Sequence, residues 1–401
     1  MTVIVVVGGA KLTQLELAGI ALLCSVVRGL AAQLHPTKHK LILITPRPQY
    51  INLLGSLRVM VDPNASLNTV FLPFEKLFGH FPGELKVASV KSVEVARGPY
   101  SPPAKDAHFA DLQNTPPVHA GAGGTLLLST GEIVRYDILV LATGSVYEGL
   151  VNFPLDPKEY HDHIEKWRKK ISDAQNIVIA GGGPVGIELA GELMDVYPSK
   201  KVTIVQGDRL VLNDVYPDRF RKGLLNRLRK RGVEVILNDA IRGNPPVDAS
   251  VKTREGRELA CDLLITCRGG GANTPYLKFL RPSPLSERGY VKVHPTFEVL
   301  YHPGIFALGD IVDWPEVKQM TKINYGHNSI VIENVLSMVR GETMTRMYKG
   351  TTDIMAISIG RNGGASYLGL LWGIVLGDFL TKTLKSKTLL QEKVRDILGL
   401  S

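Results

Sequence analysis

Cysteine is scarce. The 401 residues hold three, Cys24, Cys261 and Cys267, and no two are spaced Cys-x-x-Cys. An odd, unpaired set argues against a disulfide framework and for a reducing compartment. It also excludes chemistry that relays electrons through a neighbouring dithiol. Long apolar runs are missing too: no stretch of about 20 residues suits an ordinary membrane-spanning helix. The second residue is Thr2, which excludes N-myristoylation. Thr2 to Val7 runs straight into Gly8 as a buried strand, so no signal peptide is expected. Acid is in short supply, with 38 Asp and Glu against 47 Lys and Arg, a net charge of +9. That balance fits anionic dinucleotides, an anionic membrane surface, nucleic acid, or simply a solvated basic surface.

What is present is a folded composition, 44% apolar and 21% charged, on a chain long enough for two or three domains of roughly 100–200 residues. The main organisational feature is a repeat. Val3–Thr45 and Asn176–Gln206 each read as strand, glycine turn, helix, strand. Two dinucleotide folds in one chain suggest one cofactor held permanently and one that exchanges. Between them, Gly98–Gly124 is rich in Pro, Gly and Ala and reads as a surface loop. A strand over Tyr136–Ala142 follows and ends in Thr143-Gly144. A basic amphipathic helix is expected over Arg219–Arg231, its charges solvated and its end closed by Gly232. Gly304–Asp310 reads as a buried strand ending on an acid, and a helix is expected over Ile323–Arg340.

The second unit carries the stronger motif, Gly181-Gly182-Gly183-Pro184-Val185-Gly186. Gly181 permits the tight turn, Gly183 lets backbone approach a pyrophosphate, and Gly186 lets the helix pack close to the strand. The helix, expected over Ile187–Val196, offers its N-terminal N–H groups and dipole to the phosphates. Gln206 ends the following strand where an acid would favour NAD, while Lys201 and Arg209 lie near, so either coenzyme fits. Glu188 is read two ways: as a helix-start carboxylate favoured by the dipole, or as a proton-handling group beside a nicotinamide.

The first unit departs from the pattern. Gly8 fills the first glycine position, but Ala10 and Thr13 fill the third and sixth. From Gly181 to Val205 the chain advances 24 residues and from Gly8 to Thr45 it advances 37. An insertion within Ala10–Val26 is the expected cause.

With these motifs in view, the chain resembles pyridine nucleotide-disulfide-oxidoreductase-fold flavoproteins lacking the redox disulfide. Within them it resembles the apoptosis-inducing-factor-like, ferroptosis-suppressor-protein branch, related to type II NADH dehydrogenases. Ala142-Thr143-Gly144, Gly181–Gly186 and Gly304–Asp310 carry the superfamily likeness. Ser358–Gly364 and Leu384-Lys385-Ser386-Lys387 carry the branch. The resemblance implies an α/β fold with two Rossmann-like, glutathione-reductase-like domains and a short tail: an FAD domain at 1–150 and 285–345, an NAD(P)H domain at 151–284, and a quinone- or membrane-facing segment at 346–401. It assigns Gly8, Gly9, Thr143, Gly144 and Asp310 to FAD, with Val87 meeting adenine through its backbone. Arg47 stands where many relatives have an acid for the FAD ribose, and Arg58 is a flavin-side contact; either is equally a surface residue. Glu188 and Lys385 are implied as a catalytic pair near flavin and quinone, although Lys385 alone reads as one solvated lysine among several. No metal is expected.

The implied activity is reduction of a ubiquinone-like quinone by NAD(P)H through FAD. Two readings from other classes stay open. One is a flavin-deficient binding protein using its basic surface on membrane or nucleic acid, the latter disfavoured. The other is a reductase of a protein electron carrier. Tyr367–Leu380, with Trp372, is apolar but too short to span a bilayer. With the lysines that follow, it suits a membrane interface or a capping layer on the FAD domain. A cytoplasmic protein, peripheral on a membrane or lipid droplet or associated with mitochondria, is expected. The oligomeric state is open.

Overall fold

The computed structural model describes residues 1–8, 17–96, 123–146, 148–241, 249–316, 326–370 and 373–400, with backbone alone for 17–22. The glycine-poor turn after Gly8, including Gly9, Ala10 and Thr13, lies outside the described residues, as do most of the Pro/Gly/Ala loop and Trp372.

Aliphatic runs such as Val3–Val7 are apolar on both faces, which suits the interior of a parallel sheet covered on both sides. β1 (Thr2–Gly8) pairs in parallel with β2 (His39–Thr45) on one side and β4 (Ile138–Ala142) on the other. β3 (Glu84–Val87) extends the β2 edge and β9 (Ile305–Ala307) the β4 edge, giving the order β9-β4-β1-β2-β3. The second sheet is also parallel. β5 (Asn176–Ala180) lies between β6 (Lys201–Val205) and β8 (Leu263–Thr266), and β7 (Glu234–Ile236) closes the order β7-β6-β5-β8.

Helix α1 (Leu17–Ala31) crosses from β1 to β2. Its Leu23, Cys24, Val26, Val27 and Leu30 are fully buried. A Cβ on Gly8 would stand 2.7 Å from Leu23 Cδ1, so this glycine admits the helix against the strand. From Leu23 onward the helix is core.

In the second unit, α3 (Pro184–Val196) starts three residues earlier than expected, with Pro184 at its first position, where a missing N–H costs nothing. α4 (Asp218–Lys230) follows β6 and hands over to Gly232 at φ +86°. Its charges are not all solvated: Arg221 is buried and donates to the carbonyls of Leu210, Val211 and Leu212. The later helix α5 spans Asn328–Val339.

The tail departs most from its expectation. In place of one apolar stretch over Tyr367–Leu380, an antiparallel sheet forms from β10 (Ile354–Ser358), β11 (Gly364–Leu368) and β12 (Ile374–Leu376), followed by a short helix and one π turn at Lys382–Ser386. Tyr367 packs on Tyr216 and Phe220, with ring centroids 5.9 and 5.7 Å apart. The tail thus covers the second parallel sheet's helices, and its last helix, Gln391–Leu398, lies on α1.

Candidate active site

The glycine turn after β5 has the geometry its sequence implies. Gly181 has φ +120°, and a Cβ there would lie 2.6 Å from the Cys267 carbonyl oxygen. A Cβ on Gly186 would strike the Gly181 carbonyl oxygen, so only glycine lets α3 pack this close. Gly183, by contrast, has nothing within 4 Å of the same position. It faces a cleft of about 580 Å³ lined by Gly181, Gly183, Pro184, Gln206, Asp208 and Met355, among others. The N-terminus of α3 opens into this space, so unpaired N–H groups and a positive dipole end meet whatever fills it. Size and polarity suit a dinucleotide. Gln206 is held at its rim: its Oε1 accepts from Gly182 N–H at 2.8 Å and its Nε2 donates to Asp208 at 3.0 Å.

At the first sheet the assigned residues gather along the C-terminal strand ends, where ligands of such sheets sit. Gly8 ends β1 opposite Ala142, and Thr143-Gly144 follows β4 with Gly144 at φ +67°. Asp310 follows β9 after Gly309, at φ +79°. Its carboxylate is 1% exposed and accepts from Ser145 Oγ at 3.2 Å. Val87 ends β3 and is exposed. A buried acid beside left-handed glycines on adjacent strand ends is a donor and acceptor set that fits the ribityl and pyrophosphate portion of FAD. The Thr143 hydroxyl is engaged within the protein: it bonds the Asn273 carbonyl and Tyr276 hydroxyl, both at 2.7 Å.

Arg47 and Arg58 are not surface residues. Arg47 is buried and donates to the Phe153 and Pro154 carbonyls at 2.8 and 3.2 Å. Arg58, in α2 (Leu53–Val61), forms a bidentate pair with Glu192 at 2.8 and 3.0 Å. Its remaining donors reach the carbonyls of Ser386 and Lys387 at 2.8 and 3.2 Å. The guanidinium therefore ties α3 to the tail.

Glu188 and Lys385 meet. Lys385 Nζ lies 2.7 Å from Glu188 Oε1 and 2.8 Å from the Ala356 carbonyl. Ser358 adds its N–H at 3.0 Å and its hydroxyl at 2.9 Å to the same carboxylate oxygen. Both charged residues are buried, so the solvated reading of Lys385 is corrected. The helix-start reading of Glu188 is corrected as well, because it is the fifth residue of α3 and its partners come from the tail. An ammonium has three donors; two are engaged here. The sequence reading missed Glu192. The signal was available: Glu188 and Glu192 stand four apart on an otherwise apolar helix face, and two buried like charges require cations from elsewhere.

Residues 102–329 match the model of the pyridine nucleotide-disulphide oxidoreductase family. The chain is 39% identical over 331 residues to the FAD-dependent oxidoreductase FVFD30 of Flammulina velutipes, covering 82% of this chain and 95% of the relative. It is 26% identical to ferroptosis suppressor protein 1 of Homo sapiens, over 66% of this chain and 72% of that protein. Among solved structures, the sulfide:quinone oxidoreductase of Aquifex aeolicus superposes with a TM-score of 0.71 at 14% identity, covering 99% of this chain and 92% of that one.

Proposed function

The chain belongs to the pyridine nucleotide-disulphide oxidoreductase family, and from that premise we propose that it is an FAD-dependent NAD(P)H:quinone oxidoreductase whose acceptor is a ubiquinone-like lipid. Residues 1–150 and 285–345 would form the FAD domain, 151–284 the NAD(P)H domain and 346–401 the acceptor-facing segment. The observation that carries the acceptor is the buried Lys385–Glu188 pair, assembled from the tail and the helix that follows the dinucleotide turn. The three cysteines are free and buried, which leaves no dithiol to take the electrons and favours a small diffusible acceptor.

FAD would supply the redox chemistry, taking hydride from the nicotinamide and passing electrons to the quinone. The protein's part is to bind, orient and protonate. Gly181, Gly183 and the α3 N-terminus would hold the coenzyme pyrophosphate, with Gln206 at the ribose end. Gly8, Gly144 and Asp310 would hold the flavin nucleotide. Lys385, fixed by Glu188 and Ala356, would offer its remaining N–H to a quinone carbonyl oxygen, stabilising negative charge there and supplying a proton. Glu188 would keep the amine aimed.

Tail side chains point outward as well. Phe379 is 80% and Leu384 52% exposed, with Leu380 and Lys387 also exposed. We read this as a peripheral membrane contact through which a lipid acceptor is reached.

The test is anaerobic spectroscopy followed by turnover. The purified protein is expected to show flavin absorbance that NADH or NADPH bleaches and a ubiquinone analogue restores. Lys385→Met is expected to bleach normally but to lose roughly 100-fold or more in quinone turnover. A colourless protein would overturn the flavoenzyme reading. Bleaching without reoxidation by the quinone, but with reoxidation by a protein electron carrier, would replace the acceptor.

A further inference from the structure

The adenosine end of the cleft carries a choice between coenzymes that the sequence left open. A 2′-hydroxyl asks for an acceptor at the end of β6, whereas a 2′-phosphate asks for a cation. Gln206 occupies that strand end, but its carbonyl oxygen is taken by Gly182 N–H and its amide N–H points to Asp208. The amide thereby fixes a carboxylate at the cleft wall, where Asp208 is exposed. The acid that the motif lacks at position 206 is supplied two residues later.

The nearby cations are engaged elsewhere. Arg209 faces Asp218 at the start of α4 through two parallel hydrogen bonds of 2.7 and 2.6 Å. Lys201 stands at the opposite end of β6, 3.7 Å from Glu234. Arg254 bonds Glu255 and the Asn238 carbonyl at 2.8 and 2.9 Å. Arg268 also lines the cleft, but it follows β8, two strands across from β6, roughly 10 Å away.

We propose that Asp208 and Asp218 together make this cleft select NADH over NADPH. Asp208 accepts from the ribose 2′-hydroxyl and repels a 2′-phosphate, and Asp218 withholds Arg209, the cation that would bind one. The proposal rests on the reading that this cleft holds the nicotinamide coenzyme, and it is independent of the acceptor.

Calorimetric titration of the flavin-loaded protein with NAD⁺ and NADP⁺ tests it without turnover. A hydrogen bond to a charged group is worth enough for NAD⁺ to bind roughly 10- to 100-fold tighter than NADP⁺. Asp208→Asn is expected to cut that ratio roughly tenfold. Adding Asp218→Asn, which releases Arg209, should raise NADP⁺ affinity by a further factor of about three, the scale of an exposed ion pair. Asp208 is exposed and Asp218 half-buried, and the wild-type ratio stands as a readout even if a variant folds poorly. Equal binding, a preference for NADP⁺, no binding of either, or an Asp208→Asn ratio unchanged from wild type would each overturn the proposal. A firm NAD⁺ preference in a protein that reduces no quinone would overturn only the acceptor.

Discussion

Two buried glutamates meet the cost of desolvation in different ways. Burial raises the Glu192 carboxyl above its ordinary range, and the Arg58 guanidinium opposes that rise. Among the described residues Glu298 has no such partner. Burial pushes it from 4.5 up to about 7, and the Gly304 N–H, at 2.9 Å, offsets only part of the effect. The sign follows from linkage. A carboxyl whose folded value is raised contributes its full stability below pH 4.5 and loses it as pH rises through 7. Glu298→Gln keeps an acceptor for Gly304 and removes the charge. The variant should match wild type near pH 4 and exceed it near pH 8 by about 3 kcal/mol. His302, held below its ordinary range by burial, titrates in both proteins and drops out of the difference. Urea unfolding at the two pH values measures this, and an equal difference at both would rule it out.

Helix α3 is the element on which the molecule turns. Its N-terminus meets the cleft and its buried face carries Glu188, Gly191 and Glu192 to the tail. A Cβ on Gly191 would lie 2.6 Å from Ile359 Cα. At the next turn Asp195 accepts from Arg361 N–H at 2.6 Å and pairs with Arg231. Gly191→Val has no room unless the 359–363 turn withdraws, and that would carry Ser358 and Lys385 away from Glu188. Faster amide exchange across Ile354–Ser358 and Lys382–Ser386, with β5 and β6 unchanged, is the expected result. Unaltered exchange in the tail would show that the contact is dispensable. The same helix shows what the sequence made legible. Gly181 and Gly186 could be placed without coordinates because each answers a local steric demand. Arg58 could not, because its partner lies 134 residues away, and Lys385, 197 residues from Glu188, was paired with it by family resemblance alone. The tail's strands were not legible for a related reason. Tyr367–Leu380 is apolar but for Asp378, and such a run does not distinguish a helix from strands packed on another unit.

At the scale of the whole molecule, the tail joins both parallel sheets' helices on one side and leaves apolar side chains on the other. This constrains how membrane binding can be tested. Truncation at Tyr367 would cut β11 in the middle of its sheet and uncover α3, so lost binding would report unfolding. Phe379 and Leu384 are the sharper probes, because both project outward and neither belongs to the core. Inserting each into a bilayer interface would stabilise the bound state by about 1.5–3 kcal/mol, with Lys387 beside them adding about 1 kcal/mol on an anionic surface. The double variant Phe379→Glu, Leu384→Glu is therefore expected to keep its thermal transition and its NADH-driven flavin bleaching while flotation with anionic liposomes falls at least tenfold. Turnover should fall with quinone embedded in those liposomes and stay unchanged with a short-chain soluble analogue. Equal flotation of variant and wild type would remove the membrane contact and leave the exposed face as surface that the fold simply tolerates. Equal loss with both quinones would move these residues from delivery of the acceptor into the site itself.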